Sequence, residues 1–398
     1  MSDDMDEDYE AIMSSTSQQS YTTWAVIKGT LIDPRETGTK EQAIAHIDAI
    51  YESGTPFFTK RAIRALWDQL KTQTDPGDKI ITRDLTGARI AWTVKLGKSI
   101  NLIFGEDQEK EYFRPKLMLR MRFQCNLQLT PPSKESGVGY RSRASLKSSL
   151  HWFGAEDSAY EPLCLMYRIL QIDPSSEAKS IIPDEEIPDR DMVAKDFREK
   201  RLVWEESEAC QRLKLILASE VSSHDINKIV GLACGSLALP NNEKAAEQTA
   251  LLCTVREWLK ERDQTDGISS YIQDPMNTSV DREVLADIGF EMIDDPRGWL
   301  EIDERSVVLS VAPNVPVKEI IADTARPAVV IWNRVENDDK DSTDPDSPRV
   351  RKMMTGYKLL EFGDEETWSN VVIYTRISKV PPIPREDGTF QDSPLDDE

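Results

Sequence analysis

Ala43, Ile44, Ile47, Ile50 and Tyr51 recur at helical spacing and Gly54 follows them, which predicts an amphipathic helix that stops there. A second helix is predicted from the capping residue Thr59, with Ile63, Leu66, Trp67 and Leu70 as its apolar stripe and TDPGD at 74–78 as its breaker. The pair reads as a helical hairpin packed on the rest of the chain. Residues 116–130 alternate, with Leu117, Leu119, Met121, Phe123, Cys125, Leu127 and Leu129 on one face, as a long half-buried strand does. Lys116, Arg120 and Arg122 lie on the other face without the interleaved aromatic rings that single-stranded nucleic acid needs, and read as a solvated sheet face.

From about residue 190 the pattern changes. A long helix, roughly 191–219, leads into apolar runs at 226–232, 268–273, 290–293, 306–311, 328–332 and 371–377, each a predicted strand. Amphipathic segments separate them: 241–262 with Leu251, Val255, Trp258 and Leu259 on one stripe, a short helix opened by Thr278-Ser279-Val280-Asp281 and ended by Gly289, and 317–325. Alternation of this kind predicts an α/β fold, a Rossmann-like domain with a mostly parallel sheet over 191–380, preceded by a smaller α+β region at 21–172 and a Pro- and acid-rich linker at 173–190.

Composition sharpens this picture. The 398 residues are 39% hydrophobic, enough for two domains of ordinary size, and contain no apolar run of membrane-spanning length. The net charge of −22 is concentrated in residues 1–20, 336–348 and 381–398, which together carry −16; they read as a disordered leader, an unstructured acidic loop and a disordered tail. The remaining −6 argues against a nucleic-acid phosphate footprint. Neither nucleic acid nor membrane is expected as a partner, and protein partners are. Five widely spaced cysteines and an acidic N-terminus where a signal peptide would be basic place the chain in the cytoplasm or nucleus with reduced thiols. There is no C-x-x-C pair, and His46, His151 and His224 are far apart, so no metal site is read.

The candidate chemistry gathers at predicted strand ends. Gly231-x-Ala233-x-Gly235-Ser236 sits where the first strand of the second domain meets its helix, and approaches the G-x-G-x-G loop of Rossmann-like methyltransferases. Asp274-Pro275 ends the second strand, where such folds place a carboxylate for ribose hydroxyls, although it lies 43 residues past Gly231 against about 20 in the dinucleotide fingerprint. Pro313, Asn314, Lys318 and Asn333 complete the set at the later strand ends. Two readings stay open: a cofactor loop with Asp274 on a ligand, or glycines that allow close helix–sheet packing with Asp274 capping a turn. No catalytic constellation is read, and His224 has no partner motif.

The stretches GLACGSLAL, EQTALLCTVREWL, YIQDP, DREVLADIGF and SVVLSVAPN, in this order, resemble the sensitivity-to-red-light-reduced family. Its fungal members are the most similar, since they also carry a leading region like YESGTPFFTK at 51–60. The resemblance implies a Rossmann-like domain and a regulatory role, connected with light and clock signalling in plants and cytoskeletal or stress phenotypes in fungi. Other branches carry Pro-His-Cys where this chain has Pro313-Asn314-Val315, which removes any chemistry based on that pair. The expectation is a regulatory or accessory protein with a pocket for a small molecule or nucleotide-like ligand at the Gly231 loop. The alternatives are an S-adenosylmethionine-dependent methyltransferase using Gly231, Gly235 and Asp274, and an interaction scaffold with an occluded crevice.

Overall fold

The computed structural model describes residues 9–10, 23–27, 29–33, 38–72, 77–94, 99–102, 125–129, 138–147, 160–171, 188–264, 267–336, 343–362, 368, 370–377 and 380–384. The chain divides into two units, one of residues 1–49 with 65–186 and one of 50–64 with 187–398.

In the first unit, β1 (Tyr9–Glu10), β2 (Thr23–Ile27), β6 (Ser99–Leu102), β7 (Cys125–Leu129), β8 (Val138–Tyr140) and β9 (Leu163–Gln171) form an antiparallel sheet. A second sheet holds β3 (Thr30–Leu31), β4 (Lys79–Arg83) and β5 (Arg89–Thr93). The β4–β5 hairpin closes because Asp84 Oδ1 accepts from the N–H groups of Thr86 and Ala88 and Gly87 takes φ +85°. Of the strand expected over 116–130, residues 125–129 are β7; Lys116, Arg120 and Arg122 lie outside the described residues. So do residues 1–8 of the leader and all of the tail from 385.

The expected helices α1 (Lys40–Glu52) and α2 (Lys60–Leu70) form, and Thr59 Oγ1 accepts from Ala62 N at 3.0 Å as the cap. The residues joining them, 50–64, group with the second unit.

That unit is built on seven strands: β10 (Lys228–Leu232), β11 (Ser269–Gln273), β12 (Glu291–Met292), β13 (Ser306–Ser310), β14 (Val329–Asn333), β15 (Tyr357–Glu361) and β16 (Val371–Arg376). Their order is β12-β11-β10-β13-β14-β16-β15, parallel through β14 and antiparallel at β16 and β15. The helices between them are α5 (Glu243–Asp263), α6 (Ser279–Asp287), α7 (Arg297–Glu301), α8 (Val317–Thr324) and α9 (Pro348–Met354). The sequence order β10, β11, β12 runs one way from β10 and β13, β14 the other, so the topological switch point falls between β10 and β13. This is the expected Rossmann-like α/β domain with its mostly parallel sheet.

Both faces of the sheet's centre are covered, which is why β10, β13 and β14 read as nearly continuous apolar runs. Ile229, Val307, Leu309, Val329 and Ile331 pack in one core with Leu251, Leu252, Val255 and Leu259 of α5, and the intervening Val230, Val308 and Val330 are equally buried. The helix expected at 191–219 is interrupted. It comprises α3 (Arg190–Glu206), α4 (Glu208–Ile216) and a π-helical turn, Leu217–Val221. Ser207 breaks it by adopting extended φ/ψ and accepting from Cys210 N, so one residue ends the first helix and caps the second. The last strand pair includes β15, which the sequence pattern did not predict.

Candidate functional site

Because β10, β11, β13 and β14 are parallel, the segments that follow them emerge at one edge of the sheet. The structure therefore brings Ala233, Gly235 and Ser236, Asp274 and Pro275, Pro313 and Asn314, and Asn333 to that edge. Gly231 lies one residue before the end of β10, inside the sheet.

The two glycines serve different ends. A Cβ on Gly231 would lie 2.7 Å from Leu252 Cδ1 and 2.9 Å from Cys234 Sγ, so this glycine lets α5 close on the sheet. Gly235 has φ +79°, the left-handed region that a side chain disfavours. Ala233 and Ala312 share that region, at φ 54° and 48°. Each alanine is held by the neighbouring outer strand: Ala233 N donates to the Gln273 carbonyl at 3.0 Å and Ala312 N to Asn333 Oδ1 at 2.8 Å. The loop after β10 is thus tied toward β11 and the loop after β13 toward β14, which parts the chain at the switch point.

Asp274 stands at the centre of the first tie. Its Oδ2 accepts from Gly235 N at 2.7 Å and its Oδ1 from Met276 N at 2.7 Å, so it both closes its own turn and fastens the glycine loop. Burial raises its pKa above the ordinary value, opposed by those two hydrogen bonds. The neighbouring Cys234 thiol is also pushed up, first by burial and then by the Asp274 charge, which leaves it a poor nucleophile.

A second carboxylate, which the sequence showed only as part of a helix start, takes three further donors of the loop. Asp281 is 0% exposed. Its Oδ1 accepts from Leu237 N at 2.6 Å and Ala238 N at 3.1 Å, and its Oδ2 from Ser236 Oγ at 2.6 Å. Thr278 adds its N–H at 2.6 Å and its Oγ1 at 2.8 Å, completing the capping box of α6. The N–H groups of Gly235, Leu237 and Ala238, which an anion could use in a nucleotide-binding loop, are directed at the chain's own carboxylates. Thr278-x-x-Asp281 was a readable signal for the cap; its grip on residues 236–238 arises from tertiary packing.

A buried lysine on α8 gathers further acids beside this edge. Residues 343–348 belong to the segment expected to be solvated and unstructured, and here the expectation fails; residues 337–342 lie outside the described residues. Lys318, 5% exposed, explains the difference. It holds Asp346 at 2.6 Å and Asp344 at 3.8 Å, while Asp344 Oδ1 accepts from Lys318 N at 2.8 Å. The acids fold inward because a buried lysine and a helix N-terminus attract them. Asn314 is exposed, and the Pro313 carbonyl accepts from Thr343 Oγ1 at 2.8 Å.

Burial pushes the Asp344 pKa up to about 7, against the attraction of Lys318. A folded-state value above the unfolded one means that folding takes up a proton between the two, and that this group's contribution is lost as pH rises through about 7. Wild type is therefore expected to gain about 2 kcal/mol over Asp344→Asn as pH falls from about 8 to about 5. Urea unfolding of both proteins across that range checks it; parallel pH profiles would refute it.

Among the described residues, no helix is long and apolar enough to cross a membrane. Cys164, Cys210, Cys234 and Cys253 are free and buried. His224 is half-buried with Nε2 2.9 Å from the Arg376 carbonyl oxygen, far from the strand ends that carry the candidate site.

The class is thus a Rossmann-like α/β domain whose edge loops are fastened by internal carboxylates. Residues 197–391 match the SRR1 domain. Among solved structures, a putative O-methyltransferase from Klebsiella pneumoniae is similar over 50% of this chain and 92% of its own, with 13% identity and a TM-score of 0.29. No curated protein matches the sequence.

Proposed function

We propose that the chain is a regulatory or accessory protein whose Rossmann-like domain acts as a binding module for protein partners and performs no chemistry. One observation carries this reading: the N–H groups of Gly235, Leu237 and Ala238 in the glycine loop are taken by Asp274 and Asp281 of the same chain, so a phosphate or carboxylate arriving there meets two carboxylates. The SRR1 domain match agrees with a regulatory role. Within that family we place the chain with the fungal members, on the segment YESGTPFFTK, and in the cytoplasm or nucleus.

The methyltransferase reading keeps one observation in its favour: Asp274, at the end of β11, lies 2.7 Å from the glycine loop, where a cofactor's ribose and its loop would meet. Calorimetric titration of the full chain with S-adenosylmethionine, NAD and ATP separates the two. The expected result is no saturable binding below about 1 mM. Asp274→Asn is expected to cost about 1–3 kcal/mol of stability, because an amide has one acceptor oxygen for two N–H donors. Micromolar S-adenosylmethionine binding, weakened in Asp274→Asn without such a loss of stability, would overturn the proposal and establish the cofactor site.

A further inference from the structure

Thr343 joins two features that the proposed function does not use. Its side chain is exposed, and its hydroxyl donates to the Pro313 carbonyl in the loop after β13. The residues that follow it are docked: Asp344 is 7% exposed and bound to Lys318 N, Asp346 Oδ1 pairs with Lys318 Nζ, and Asp346 Oδ2 accepts from Glu336 N at 2.9 Å. Thr343 therefore pins one end of a short strap that is also held by two carboxylates sharing one lysine, by Glu336 N on Asp346 and by Arg351 on the Asp346 carbonyl. In sequence it lies among Asp338, Asp339, Asp341, Asp344 and Asp346, with acids one and three positions after it.

We propose that Thr343 is a phosphorylation site for an acid-directed protein kinase, and that the phosphate releases the strap from α8 and from the loop after β13. The recognition is electrostatic: a kinase with a basic substrate groove reads Asp344 and Asp346, and the surrounding acids repel enzymes that need a basic substrate. In the transfer, the Thr343 oxygen bonds to the γ-phosphorus of ATP, the bond from that phosphorus to the β,γ-bridging oxygen breaks, and ADP leaves. The hydroxyl proton passes to the kinase's catalytic carboxylate.

The effect follows from the contacts. A phosphothreonine side chain has acceptor oxygens and close to two negative charges, so the hydrogen bond to Pro313 is lost and the new charge faces a carbonyl. It also adds to the charges of Asp344 and Asp346, for which the strap has Lys318 as its buried cation. The docked state holds the very acids that the kinase reads, so the enzyme acts on the released fraction and the phosphate traps it.

The test is incubation of the full chain with ATP and purified casein kinase II, with tandem mass spectrometry to locate the phosphate and amide exchange to follow residues 311–316 and 343–350. Phosphate on Thr343 is expected, with exchange in both segments faster by about tenfold, the scale of losing one partly buried hydrogen bond. Thr343→Glu should reproduce the faster exchange without ATP, and Lys318→Met should speed incorporation by loosening the strap. Absence of phosphate at Thr343 in both wild type and Lys318→Met would overturn the proposal. So would incorporation that leaves exchange unchanged or slows it.

Discussion

Asp281→Asn is expected to lower the free energy of unfolding by about 3–5 kcal/mol, although it changes a carboxylate only to an amide of the same shape. The side chain is wholly buried, and both oxygens are used: two backbone N–H groups on Oδ1, and a serine hydroxyl, a backbone N–H and a threonine hydroxyl on Oδ2. Whichever way the amide is turned, its NH2 faces donors in place of an acceptor, and each donor left unpaired costs about 1–3 kcal/mol. The loss should reach beyond α6, because the same carboxylate holds residues 236–238 of the glycine loop. Urea unfolding gives the energy, and amide exchange at Leu237 and Ala238 shows where it is lost. A cost below about 1 kcal/mol would mean that the loop is held by its glycine geometry alone.

The limits of sequence reading here have physical causes. The central parallel strands β10, β13 and β14 were legible because burial on both faces makes each a nearly unbroken apolar run, and the shared edge follows from the order of strands and helices. β15 was not, since YKLLE is a short strand with two adjacent leucines and no clean period, and among the described residues it is the last strand of the sheet. At Ser207 the apolar period runs on through the break, so only the backbone conformation reveals two helices. Asp274 was legible as a carboxylate at a strand end. Its choice between ligand and turn depended on Gly235, 39 residues away, which no local pattern encodes. The acid run at 343–348 misled for a related reason: composition describes charge, and Lys318 supplies the partner from a different element.

Arg349→Met is expected to cost a similar 3–5 kcal/mol and to free the segment Tyr51–Lys60 from the Rossmann-like domain. The guanidinium lies 4.0 Å from the Tyr51 ring centroid and 5.2 Å from that of Phe57. It donates to the Tyr51 and Thr55 carbonyls at 2.7 and 2.6 Å and pairs with Asp323 at 3.0 Å. Asp323, with a side chain 2% exposed, in turn accepts from the N–H groups of Phe57 and Phe58 at 2.7 and 3.2 Å. One buried ion pair thus satisfies both the carbonyls and the amides of YESGTPFFTK, which gives that segment a structural reason to accompany the domain. Burial already raises the Asp323 pKa, and Arg349 opposes the rise; methionine removes the opposition. The carboxylate then folds more favourably when protonated, so the stability gap between wild type and variant should narrow as pH falls. Combining it with Asp323→Asn should cost less than the sum of the two single changes, since the double variant buries no unpaired charge. Proteolysis between Glu52 and Thr55 should accelerate in Arg349→Met. If stability falls but that cleavage rate does not change, Arg349 supports the domain core and leaves the segment anchored by Phe57 and Phe58.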